Sequence, residues 1–203
     1  YWLLALSLLP TVLGAWLGVA TGITKSLSGG VGLIVFLGGA FGFIYAINKT
    51  KNSAAGVPVL LAFTFFMGLM LSRLLGVVLG LNNGTGLIMT AFAGTGVIFF
   101  GMAAMSSVVK RDLSQMGKFL FIGMIVVLLA AVANIFFQIS ALSLTVAAVV
   151  VVLFSAYSVI GISHIDQGGV TNYISASFSV YFDVYNVFVS LLQLFMPFSG
   201  DRD

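Results

Sequence analysis

The chain has 203 residues, of which 61% are hydrophobic and only 6% charged, with a formal net charge of +3. A soluble domain carries roughly 25% charged residues, so this composition, with a mean hydropathy of +1.21, excludes an ordinary water-soluble fold and points to an all-α integral membrane protein. With no cysteine and one histidine, disulfides, iron–sulfur clusters, thiolate zinc sites and multi-histidine metal sites are excluded too, and the few Lys and Arg make no basic patch for nucleic acid.

The apolar runs predict helices at about 1–23, 31–47, 57–79, 87–109, 119–139, 142–162 and 172–195, seven spans in a single membrane domain, 1–203. The first run is too long for a signal-peptide core and lacks a positive flank, so it reads as a span. It opens at Tyr1 without an initiating Met, and a polar N-terminal tail is expected before it. Within it Gly14, Gly18 and Gly22 recur every four residues, a small-residue seam that lets another helix approach closely. Pro10 is a kink that neighbouring helices tolerate. The second helix repeats the device at Gly38 and Gly42 and ends in the polar turn Asn48 to Ser53. The third carries Arg73, about six residues, or roughly 9 Å, inside its end. Leu81 to Gly86 reads as a turn, Lys110 to Lys118 as the most charged loop, and the loop before the last helix contains His164, Asp166, Gly168 and Gly169.

In the last helix Asn172, Ser175, Ser179, Asp183, Asn186, Ser190 and Gln193 recur at spacings of three and four, which places them on one helical face. At about 1.5 Å per residue the stripe is roughly 30 Å long, the thickness of a bilayer's hydrocarbon core, with Asp183 near its middle. A carboxylate at that depth needs a partner, water or a proton, so the stripe is a candidate path for ions. The competing reading is a set of interhelical hydrogen bonds around a satisfied core acid. Arg73 has the same two-fold reading, either snorkelling to the headgroups or pairing with Asp183.

Other chemistry finds little support. Gly94-Thr95-Gly96 lies inside an apolar helix and is followed by Phe99 where a dinucleotide fingerprint needs glycine. His164 has no second ligand at metal spacing, and no serine sits in a nucleophile elbow. No enzymatic activity and no resident cofactor are expected.

The segment GGVTNYISASFSVYFDVYNVFVSLLQLF from Gly168 resembles the C-terminal signature of the Bax inhibitor-1 family, in its bacterial YccA-like branch. FTFFMGLMLS, KRDLSQMGKF and VANIFFQ extend the resemblance over nearly the whole chain. The resemblance implies a bacterial inner-membrane protein, a seven-helix bundle with the C-terminal helix at its centre, and a pH-sensitive calcium leak controlled by two membrane acids. The second acid maps onto Asp183. The first falls near Gly161, where this chain reads Ile160-Gly161 and departs from the family pattern; Arg73 is a second departure.

The mechanism so implied is a calcium or cation leak in which Asp183 coordinates and titrates, switching the stripe between a neutral packed state and a charged hydrated one. Calcium prefers about six to eight oxygens, so one carboxylate with Asn186, Ser179 and water makes a weak, transient site suited to transit. The competing class is a non-transporting regulator and partner of the membrane-anchored AAA protease, with the expected N-terminal tail as its handle.

Lys49, Lys51, Lys110, Arg111 and Lys118 fall on the side of the N-terminus, against Lys25 and Arg202 on the other. The excess predicts a cytoplasmic N-terminus and a periplasmic C-terminus. Single cysteines introduced into this cysteine-free chain between Lys110 and Lys118 should react only with reagent that has entered the cell. Labelling of that loop from outside intact cells overturns the orientation.

Overall fold

A computed structural model of the chain describes residues 2–23, 29–108, 114–166 and 172–199. Among these every regular element is helical: α1 (Trp2–Thr21), α2 (Gly29–Thr50), α3 (Gly56–Leu79), α4 (Gly84–Val108), α5 (Ser114–Phe137), α6 (Ser140–Asp166) and α7 (Tyr173–Phe195), followed by a short 3-10 turn, Met196–Ser199. Six of the helices are long and apolar enough to cross a membrane. In α2 the apolar portion, Ile34–Thr50, is shorter, at the lower limit for a span. Lys25, Lys110, Arg111, Gly168, Gly169 and Arg202 lie outside the described residues; of the expected loop Lys110 to Lys118, Ser114 to Lys118 form the start of α5 instead.

The boundaries differ from the predicted ones where polar side chains serve their own helix. Asn48 Nδ2 donates to the Ile44 carbonyl at 3.1 Å and Thr50 Oγ1 to the Ala46 carbonyl at 2.7 Å, so α2 runs on through the expected polar turn. Helix α4 absorbs Gly84 to Gly86, with the Leu87 amide donating to the Asn83 carbonyl at 3.0 Å. His164, expected in a loop, lies in the last turn of α6. Helix α5 stops at Phe137 because Gln138 has φ 52°, a left-handed conformation that costs a non-glycine residue roughly 1–2 kcal/mol. Asn134 secures that turn: its Oδ1 accepts from the Ile139 amide at 2.9 Å and its Nδ2 donates to Ser143 Oγ at 2.6 Å.

The chain divides into two compact units, Tyr1–Leu81 with Val170–Tyr181, and Asn82–Gly169 with Phe182–Asp203. In the first, Gly14 and Gly18 of the expected α1 seam meet α3, while Gly22 lies past the end of the helix with φ 65°. A Cβ on Gly14 would collide with the Phe65 carbonyl, one on Gly18 with Ser72, and one on Gly68 of α3 with the Thr11 backbone. Helix α2 reaches α3 through rings instead, Gly39 lying against Phe66 and Phe43 packing on Phe63 and Phe66 at 5.9 and 5.5 Å between centroids. The first turns of α7 add Phe178 and Tyr181 to Phe63 at 5.3 and 6.0 Å. In the second unit Leu120 of α5 and Leu153 and Ile160 of α6 form the core, and Gly123 lets Leu153 approach α5.

The second expected seam does not form: among the described residues nothing lies within 4 Å of a Cβ built on Gly38 or Gly42. Gly14→Ala should lower stability by about 1–3 kcal/mol through overpacking. Gly38→Ala should be neutral or raise stability by up to about 1 kcal/mol through helix propensity. Thermal unfolding in detergent micelles measures both, and equal midpoints for the two variants would remove the seam's structural role.

Candidate functional site around Asp183

Helix α7 is the most amphipathic of the helices, yet its polar stripe does not share one environment. Asp183 and Ser190 are buried, at 5% exposure each; Asn172, Ser175 and Asn186 are half-buried; Ser179 and Gln193 are exposed. The reason is rotational. Ser177, Val180, Tyr181, Val187 and Leu191 are buried, and at about 100° per residue their mean direction lies about a third of a turn from the stripe's. Asp183 and Ser190 stand at the edge nearest that buried face.

Asp183 belongs to the second unit, where its Oδ2 accepts a hydrogen bond from Ser158 Oγ of α6 at 3.4 Å, near the limit for such a bond. Phe182, the preceding residue, packs edge-on to Phe154 of α6 at 5.8 Å. Ser155 and Ser158 are both buried on α6. The α6 residue that hydrogen-bonds the acid is Ser158, one turn before Gly161, near which the resemblance led a second acid to be expected. Asn186 turns back to its own helix, Nδ2 donating to the Phe182 carbonyl at 2.7 Å. The described residues contain no cluster of three metal-ligating His, Asp or Glu, so a cation here would meet one carboxylate with hydroxyl and carbonyl oxygens, a weak donor set.

Asn172 has a different position from the rest of the stripe. Its Oδ1 accepts from the Ile174 and Ser175 amides, both at 3.0 Å, which caps the N-terminus of α7. Its Nδ2 donates to the Lys51 carbonyl at 2.7 Å and to Asn52 Oδ1 at 2.9 Å, fastening the helix start to the turn between α2 and α3. Arg73 is exposed on α3. In the first unit Tyr181 Oη hydrogen-bonds Thr11 Oγ1 at 2.9 Å and also lies 3.5 Å from the Thr64 carbonyl.

Ser158 and Tyr181 are the polar partners that sequence reasoning passed over. Ser155 and Ser158, three residues apart on α6, carried a signal of the same kind as the α7 stripe. Tyr181 was hidden because a tyrosine beside two phenylalanines reads as apolar packing.

Comparison with known proteins agrees over the full length. The family described as inhibitor of apoptosis-promoting Bax1 matches residues 1–200. A protein of Escherichia coli K12 named modulator of FtsH protease YccA is 37% identical over 194 residues, 96% of this chain and 86% of the relative. An uncharacterised protein of Pseudomonas aeruginosa is 40% identical over 169 residues, 83% of this chain and 76% of the relative. An uncharacterised membrane protein of Vibrio cholerae is 34% identical over 194 residues, 96% of this chain and 85% of the relative.

Replacing Asn172 separates capping from any part in an ion path. Asn172→Ala should cost about 1 kcal/mol for the lost cap, and somewhat more for the carbonyl it leaves unpaired. Asn172→Ser should retain the cap and lose only the bonds that Nδ2 donates. Urea or thermal unfolding in micelles reads the difference, and equal destabilisation by both variants would deny the cap its role.

Proposed function

Because this chain belongs to the Bax inhibitor-1 family of membrane proteins, we propose that it is a non-enzymatic, multi-pass inner-membrane protein that modulates a membrane-anchored AAA protease. The observation that carries the reading is the relative named for modulating FtsH, which aligns with 96% of this chain at 37% identity. No pore is needed for such a role. A protein that engages the protease within the bilayer would do so through helix faces, and long apolar faces of this kind are present on α1, where Trp2, Leu9, Val12, Leu13 and Trp16 are exposed. The reading includes seven crossings, α2 among them, a cytoplasmic N-terminus and a periplasmic C-terminus. Helix α7, whose residues are divided between the two units, is the candidate central helix. Reconstitution with the protease tests it: the rate at which a membrane substrate is degraded should change severalfold when this chain is added, and an unchanged rate overturns the reading.

A second reading is favoured by one feature, the buried Asp183 with a single described hydrogen bond from Ser158. In this reading the chain passes calcium or another cation, Asp183 acting as the titrating and weakly coordinating group and Ser190, Asn186, Ser175, Ser179 and Gln193 as polar positions along the path. Gly161 offers no second acid, so pH sensing would rest on Asp183 alone. Arg73 enters only as a candidate charge partner.

Calcium flux into liposomes containing only this protein discriminates the two. Asp183→Asn keeps the size and most of the hydrogen bonding of the side chain and removes its ionisation. Under the second reading the variant folds and its pH-dependent flux disappears, while modulation of the protease is retained. Flux with unchanged pH dependence in purified Asp183→Asn protein would end the sensing role.

A further inference from the structure

Outside the α7 site, the second unit holds an open groove of about 560 Å³ between the start of α5 and the end of α6. The two helices are joined by the tight turn at Gln138, so they run antiparallel and the first turns of α5 lie beside the last turns of α6. The groove's lining is graded along the helices. At its outer end are Lys118 and His164, both exposed. One turn further in, the walls are Phe121 and Ile122 of α5 and Ile160 of α6, backed by the Leu120, Leu153 and Ile160 core. Tyr157 bridges the walls, its Oη donating to the Gly117 carbonyl at 3.2 Å. No carboxylate is among the lining residues.

We propose that this groove is a binding site for an anionic phospholipid, with the phosphate at Lys118 and His164 and an acyl chain along Phe121, Ile122 and Ile160. Helices α5 and α6 are both long and apolar enough to cross the membrane, so a groove on their flank opens to lipid. A phospholipid has the same order of chemistry as the lining, an anionic head followed by hydrocarbon. The Lys118 ammonium supplies a point charge and up to three donors, and the His164 imidazole an N–H. The hydroxyl oxygen of Tyr157 can accept from a glycerol or headgroup hydroxyl while its proton stays on Gly117. A basic pocket between transmembrane helices is the setting in which anionic headgroups are selected over zwitterionic ones. An apolar peptide would fit the inner walls and leave Lys118 without a counter-charge, so charge complementarity favours the lipid.

Native mass spectrometry of the full chain, released from micelles titrated with phosphatidylglycerol or phosphatidylethanolamine of matched acyl chains, tests the site. One phosphatidylglycerol should be retained about fivefold more than phosphatidylethanolamine, which is roughly 1 kcal/mol at 1.4 kcal/mol per tenfold. Lys118→Gln combined with His164→Phe should bring the two lipids to parity. Lys118→Arg should keep the preference, as should Lys49→Gln, at an exposed position on α2 in the other unit. A second measurement needs no variant: phosphatidylglycerol with a photoreactive acyl chain should label residues 118–122 and 157–164 of the unaltered protein. Equal retention of both lipids, a preference that survives loss of both side chains, or labelling confined to other helices would each overturn the proposal.

Discussion

Hydrocarbon offers no hydrogen-bond partner, so every hydroxyl and amide on these helices must be satisfied by protein. The described hydroxyls meet this constraint largely within single helices, buried Ser106 Oγ being an exception. Ser7, Thr11, Thr64, Ser72 and Thr95 each donate to a carbonyl one turn back on their own helix, at 2.6 to 3.1 Å. A hydroxyl whose proton is already on its own backbone needs no acceptor from the neighbour, so Ser72 Oγ of α3 can lie directly against Gly18. Without the glycines, the backbones could not come close enough for dispersion to hold the helices together.

Two asparagines meet the same constraint where helices end. A helix terminus leaves several backbone groups without intrahelical partners, and an amide side chain carries both donors and an acceptor. Asn172 uses its oxygen on the first amides of α7 and its nitrogen on the turn between α2 and α3. Asn134 uses its oxygen on the Ile139 amide and its nitrogen on Ser143, which keeps Gln138 in its left-handed conformation. A serine at either position would satisfy one side of the junction and leave the other open.

The helical runs were legible in the sequence because they depend on local periodicity; the close approach at Gly14 and Gly18 was legible without its partner α3, and the same spacing at Gly38 and Gly42 meets no described neighbour. Helix ends were less legible, since whether Asn48 and Thr50 terminate α2 or continue it turns on where their side chains bond. The α7 stripe was legible as a pattern and not as an environment. Spacing places Ser179 and Asp183 on one face, but which edge of that face is covered depends on neighbouring helices, and only Asp183 of the two is buried. Ser158 escaped notice for a related reason: a serine's part is set by what stands opposite it. Asn172 carried a visible N-cap signal, an Asn directly before an apolar run, which the stripe pattern obscured.

The chemistry available to Asp183 follows from what α6 brings to it. An ionised Asp at the centre of a spanning helix costs roughly 2.5–3.5 kcal/mol on insertion scales. A neutral hydroxyl donor is worth about 1 kcal/mol or less in net terms, and the Ser158 contact at 3.4 Å is a long one. Glycine at position 161 supplies no second carboxyl to share a proton or divide the charge of a divalent ion. Whatever Asp183 binds is therefore held against one formal charge from this pair of helices. For calcium that leaves a positive charge uncompensated in hydrocarbon, which disfavours retention and allows only brief occupancy in transit. For a role in protein recognition the same acid is a buried polar contact with one weak partner, an element whose packing a neighbouring helix can alter at small cost.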